Sequence, residues 1–174
     1  MGVLSVTPFP NAKGIALLIF SVAAITDFLD GHLARKYNLV TNFGKLMDPL
    51  ADKILMCAGF VLLITLGHIS AWIVVVILSR EFMVTGLRLL ASAEGKVLAA
   101  DYLGKYKTTF QIVTVIFFLL YEAAGESLFS WARPLFETKF TTPCFLGTIL
   151  IWISLTLTVV SGFNYVWKNR AMLR

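Results

Sequence analysis

Charge is scarce in this sequence, and that scarcity excludes the ordinary soluble classes. Of 174 residues only 14% are charged, 58% are hydrophobic, and the mean hydropathy is +0.82. A soluble domain carries charge on about a quarter of its residues. Cysteine is nearly absent, and Cys57 and Cys144 both lie in or beside apolar runs. Without metal-ligand spacing they read as small core hydrophobes, not as a disulfide or a zinc site. The opening MGVLSVTPFPNAK has no basic leader ahead of its apolar part, so a cleaved secretory signal is not expected. No internal repeat, low-complexity tract or linker divides the chain, which reads as one domain over 1–174. No nucleic-acid partner is expected.

Long apolar runs are what the chain has in their place. They predict an all-α fold, a polytopic integral-membrane helical bundle with five spans visible. The expected helices cover about 13–32, 48–66, 71–93, 106–123 and 144–166. A span needs about 20 apolar residues. The first four runs meet this only if their polar ends sit in headgroups or in a protein cavity. Asp48 reads as an N-cap with Pro49 at the first helical position, and 36–47 as a polar connection. Trp72, Trp131 and Trp167 suit the membrane interface, and Trp152 packing inside the fifth helix. The cations have a side. Arg35, Lys36, Lys45 and Lys53 crowd one connection, Arg88, Lys96, Lys105 and Lys107 another, and Lys168, Arg170 and Arg174 the C-terminus. The intervening loops are poor in cations. Positive charge faces the cytoplasm, so the two basic connections and the C-terminus are placed there. Five spans then put the N-terminus outside, and a missing preceding helix is one explanation.

Four of the ten acids, Asp27, Asp30, Asp48 and Asp52, lie within one stretch, DFLDGHLARKYNLVTNFGKLMDPLADK. Asp27 and Asp30 are three apart and Asp48 and Asp52 four apart, so each pair shares a helix face. One reading is four solvated surface acids paired with Arg35, Lys36, Lys45 and Lys53. The other is a divalent metal pair, because carboxylates that extend an apolar helix are costly and usually functional, and hard cations prefer oxygen ligands. Two metals bridged by carboxylates suit in-line transfer of a phosphoryl group. Gly31 reads either as a helix-ending glycine or as bare backbone that a ring or phosphate can approach. Ala34 is small in the same way, Arg35 can make a forked contact to a diphosphate, and Gly44 can let two helix ends approach.

The pattern D-x-x-D-G-x-x-A-R, eight residues, then G-x-x-x-D-x-x-x-D resembles the signature of the CDP-alcohol phosphotransferases. Asp27, Asp30, Gly31, Ala34, Arg35, Gly44, Asp48 and Asp52 fill its eight positions without departure. NLVTNFGKLMDPLADK, SREFMVTGLRLL and LGKYKTTFQ are similar to one branch, the phosphatidylglycerophosphate synthases. The resemblance implies roles. Asp27, Asp30 and Asp48 would be metal ligands for Mg²⁺ or Mn²⁺, and Asp52 the general base, close to the second metal. Gly31, Ala34 and Arg35 would contact the CDP moiety. It also implies a homodimer, and six spans in a complete member, with an amphipathic stretch and a first span before the helix bearing Asp27. Both of those are expected to be lacking here.

The acceptor is read from the cations. Arg80 lies deep in the third helix, and Arg80, Val84 and Arg88 repeat every four residues along one stripe. Lys105 and Lys107 stand at the entrance of the fourth helix. Arg80, Arg88 and Lys105 are the candidates for holding an acceptor phosphate. The plainer alternatives are an Arg80–Glu81 ion pair and contact of the lysines with anionic lipid. The expected reaction is transfer of a phosphatidyl group from CDP-diacylglycerol to glycerol 3-phosphate, giving phosphatidylglycerophosphate and CMP. Its setting would be a bacterial plasma membrane, with the site facing the cytoplasm. Alternatives left open are another acceptor (inositol phosphate or phosphatidylglycerol), a small cation or proton carrier, and an inactive fragment. His32 and His68 are assigned no role.

Overall fold

The computed structural model describes residues 11–37, 42–93, 102–137, 143–168 and 170. The side chains at 28, 31–36, 42–49, 93, 102, 103, 105, 143 and 144 lie outside that description, as do residues 1–10, where the N-terminal expectations fall. Among the described residues five long helices follow one another. They are α1 (Ala12–Lys36), α2 (Asn42–Thr65), α3 (Ala71–Ala93), α4 (Tyr102–Ala124) and α5 (Thr148–Lys168), with a 3-10 run Ser127–Phe136 and a π-helical turn Pro143–Gly147 between the last two. At 1.5 Å per residue, 23–25 residues extend roughly 35–38 Å, more than the ~30 Å hydrocarbon layer.

Local chemistry sets the helix ends. The turn GHIS forms as expected. Gly67 takes the left-handed φ of 78°, the Gly67 N–H donates to the Ile64 carbonyl at 3.0 Å, and the His68 N–H donates to the Leu63 carbonyl at 3.0 Å. These crossed bonds satisfy the last carbonyls of α2. α1 is capped from far along the chain. The Glu126 carboxylate accepts from the N–H of Lys13 at 3.0 Å and of Gly14 at 2.9 Å. Lys13 also pairs with Glu122, whose other oxygen meets His68 Nε2 at 2.7 Å. The 3-10 run is thereby tied over this end of the bundle.

Three expectations need correction. α2 begins at Asn42, so Asp48 is no N-cap and Pro49 lies in the second turn. Asparagine suits a helix start, and Lys45, Leu46 and Met47 are good helix formers, so the helix nucleates ahead of the proline. It loses only the one bond that an amide at 49 would have made to the Lys45 carbonyl. The 36–47 connection shrinks accordingly, because Lys36 ends α1 and 42–47 belong to α2. Trp152 points outward, at 53% exposure. The buried stripe of α5 runs Ile151, Ser154, Leu155, Thr158, Ser161, Gly162 and Tyr165, and 152 falls about 100° off that stripe.

α4 is the central helix, packed on α1, α2 and α5, while α3 packs on α2 and α5. Phe20, Phe60, Leu62, Leu63, Ile77, Val115, Phe118 and Leu119 fill the core. The seam between α4 and α5 is polar. Gln111 donates to Thr158 Oγ1 at 3.0 Å, and the hydroxyls of Thr114 and Ser154 meet at 3.0 Å. Outside, Leu18, Val22, Ile25, Ile54, Val61, Val75, Leu90, Val160 and Phe163 are exposed. Hydroxyls and amides inside with an apolar coat outside is how helices associate in lipid, whereas a soluble monomer rarely shows so much contiguous apolar surface. Among the described residues two helical stretches, Tyr106–Ala124 and Phe145–Lys168, are long and apolar enough to cross a membrane. α1, α2 and α3 carry their charges inside the helix: Asp27, Asp30 and Arg35; Lys45, Asp48, Asp52 and Lys53; Arg80, Glu81 and Arg88.

Candidate functional site

Both halves of the aspartate signature lie wholly on helices. On α1, positions 27, 30, 31 and 34 follow the i, i+3, i+4, i+7 spacing of one face, and on α2, positions 44, 48 and 52 follow i, i+4, i+8. Gly31 sits five residues before the end of α1, so it is not a helix-ending glycine. That leaves backbone approach as its remaining reading. Asp27 and Asp30 are exposed and line an open hollow of about 620 Å³ with Leu18, Ile19, Val22, Ala23 and Thr26. The hollow is apolar along the helix and acidic at one end. The side chains of Gly31, Ala34, Arg35, Gly44, Asp48 and Lys105 fall outside the described set. Among the described residues no three His, Cys, Asp or Glu side chains gather as a metal group.

Asp52, with its side chain 30% exposed, is held by the Lys53 ammonium. Lys53 reaches on to Glu81 Oε2 at 3.4 Å. Glu81 Oε1 in turn takes Lys107 and lies 3.5 Å from Arg80 Nη1. One ionic chain therefore runs from Asp52 on α2, through Glu81 on α3, to Lys107 on α4. Among the described residues it links three cations to two carboxylates. A cluster of cations at this density can favour an incoming anion.

The predicted arginine stripe holds. Arg80 Nη2 donates to Ser161 Oγ at 2.9 Å. Arg88 Nε donates to the Tyr165 hydroxyl at 3.3 Å, with its guanidinium 5.3 Å from the ring centre. Val84 between them is buried. Gly162 makes room for this, since a Cβ there would stand 2.7 Å from Arg80 Cγ. The Arg80–Glu81 pair expected as a structural alternative exists, at the longer distance of 3.5 Å. Lys107 is not on the surface that lipid contact would require. It is 3% exposed and sits on Glu81.

Sequence reasoning missed Glu81 as a hub, Lys53 as a bridge and His68 as a partner of Glu122. The signal for Glu81 was available, because an acid inside an apolar helix demands a partner. No comparable signal marked Lys53, which looked like one more cation of a basic connection.

Fold and site together define a class: a helical bundle of the membrane-protein kind that presents carboxylates and cations from neighbouring helices. The chain belongs to the CDP-alcohol phosphatidyltransferase family, whose profile matches residues 1–160. It is 42% identical over 165 residues to a Bacillus subtilis protein named CDP-diacylglycerol–glycerol-3-phosphate 3-phosphatidyltransferase, covering 95% of this chain and 78% of that one. Proteins of the same name from Rickettsia bellii and Cereibacter sphaeroides are 33% and 31% identical. They cover 90% and 95% of this chain, and 79% and 86% of their own lengths.

Proposed function

We propose that this protein transfers the phosphatidyl group of CDP-diacylglycerol to glycerol 3-phosphate, releasing CMP. The observation that carries the reading is the complete eight-position signature, laid on two faces of α1 and α2 in a chain whose relatives share that name. In the reaction the acceptor's primary hydroxyl oxygen bonds to the phosphatidyl phosphorus, the pyrophosphate P–O bond to CMP breaks, and the hydroxyl proton goes to Asp52. A base at an open helix face, on the same element as proposed metal ligands, needs no separate positioning machinery. Gly31, Ala34 and Arg35 take the CDP moiety, and the acyl chains stay against the apolar side of the α1 hollow.

The donor set fits a hard divalent cation by its chemistry. Asp27, Asp30, Asp48 and Asp52 offer carboxylate oxygens only, and Asp52 already accepts a cation in the form of Lys53. Mg²⁺ or Mn²⁺, in a two-metal site, would neutralise the diphosphate and improve CMP as a leaving group. Arg80, Arg88 and Lys105 receive the acceptor phosphate. The remaining parts of the reading are five spans crossing the bilayer, a site facing the cytoplasm of a bacterial plasma membrane, and a homodimer in contact with membrane lipids.

The deciding experiment measures CMP release by purified protein in nanodiscs against a panel of acceptors, with and without a chelator. Glycerol 3-phosphate should be turned over fastest, and chelation should abolish turnover. Equal or better turnover with inositol phosphate would reject the acceptor. Cation flux in liposomes without CMP formation would reject the enzyme.

A further inference from the structure

Among the described residues Glu81 and Lys107 are the only charged side chains in the buried interior. They are 5% and 3% exposed. Neither can reach a ligand that enters from the open side, where Asp52 and Lys53 stand with side chains 30% and 15% exposed. Yet Glu81 touches a cation from each of three helices: Lys53 on α2, its neighbour Arg80 on α3 and Lys107 on α4. Each of its oxygens has a duty. Oε1 takes Lys107 and Arg80, and Oε2 takes Lys53.

We propose that Glu81 is a positioning residue: it holds Arg80, and Lys53 as a further cation beside Arg88 and Lys105, toward the acceptor's phosphate, and Lys107 anchors it from behind. This rests on the proposed function. The physical case is that three cations this close repel one another unless an anion stands among them. Glu81 is that anion. It draws Lys53 away from sole possession by Asp52, and it fixes one end of the Arg80 fork while Ser161 fixes the other. Without it Lys53 keeps Asp52 but loses its second carboxylate, and Arg80 loses the contact that ties it to Lys53 and Lys107. Acceptor recognition and access to the base should fail together, while the donor side, on α1, is untouched.

Three variants test this: Glu81→Gln, Lys107→Met, and the double variant. Breaking one side of a buried pair is costly, whereas replacing both partners is often neutral for stability. The readouts are glycerol 3-phosphate binding by calorimetry without donor, the separate KM values for acceptor and donor, and the unfolding midpoint. Glu81→Gln should weaken acceptor binding by at least about tenfold and leave donor KM within about twofold, the size expected of a misplaced positioning group. The double variant should regain the wild-type midpoint but not the acceptor affinity. If acceptor affinity instead returns with stability, or Glu81→Gln folds and binds acceptor as the wild type does, Glu81 is only a structural ion pair and the proposal is overturned. Should Glu81→Gln fail to fold, the double variant carries the same comparison. Wild-type protein that neither binds nor turns over glycerol 3-phosphate overturns the proposed function, and this assignment with it; an active wild type with an indifferent Glu81→Gln overturns this assignment alone.

Discussion

Adding one methyl group to Gly162 tests whether Arg80 serves the acceptor, without touching any charge. A Cβ at 162 would lie 2.7 Å from Arg80 Cγ and 3.2 Å from its Nε. Carbon atoms settle at about 3.5–4.0 Å, so in Gly162→Ala the arginine stem must retreat by roughly 1 Å. Its far end must then give up the 2.9 Å bond to Ser161 or the contact with Glu81. Overpacking of this kind costs about 1–3 kcal/mol in stability. A misplacement of about 1 Å at a positioning group can cost up to a hundredfold in rate. The expected outcome is a ten- to hundredfold fall in kcat/KM for glycerol 3-phosphate, with donor KM little changed. The control is Gly59→Ala, where a Cβ would stand 2.8 Å from the Phe20 ring and 3.0 Å from Val115. It overpacks the core to a similar degree but does not involve Arg80. Steady-state CMP release with acceptor and donor varied separately, beside the unfolding midpoints, makes the comparison. If both alanine variants lose stability and neither shifts the acceptor KM, or both shift it alike, Arg80 is not an acceptor group.

Asp52→Asn should abolish CMP release while CDP-diacylglycerol still binds within a few-fold of the wild type, measured by titration with the lipid donor. Asp27→Asn should raise the Mg²⁺ concentration needed for half-maximal turnover, and an unchanged metal requirement would remove Asp27 from the ligand set. Arg88→Ala should raise acceptor KM about tenfold. Tyr165→Phe keeps the ring beneath Arg88 but loses its 3.3 Å hydrogen bond, and should raise it by less than threefold or so. Glu126→Ala removes the cap on α1 and should lower stability by about 1 kcal/mol, with both KM values unchanged.

The helical class was legible because an apolar run of this length satisfies its backbone groups most simply within itself, and α3 appears at the predicted bounds, Ala71–Ala93. The aspartate signature was legible because its spacing is local, three and four residues along one chain, and helix geometry turns such spacing directly into a shared face. Where local rules conflicted, the reading failed. Asp48-Pro49 resembles a helix start, but Asn42 and the helix formers behind it begin α2 a turn and a half earlier. Trp152 was set inside a helix whose polar face turned out to be the inner one, since Ser154, Thr158 and Ser161 bury where an aromatic was expected.

What the sequence by itself determined is therefore the helices and the chemical identity of the residues on them. What only the tertiary structure decided is which charges meet. Asp52, Lys53, Glu81 and Lys107 span 56 residues and three helices, and no periodicity links them. An ion pair forms where packing brings two charges out of water at the same depth, and that depth depends on how α2, α3 and α4 stand against one another, not on the spacing within any of them.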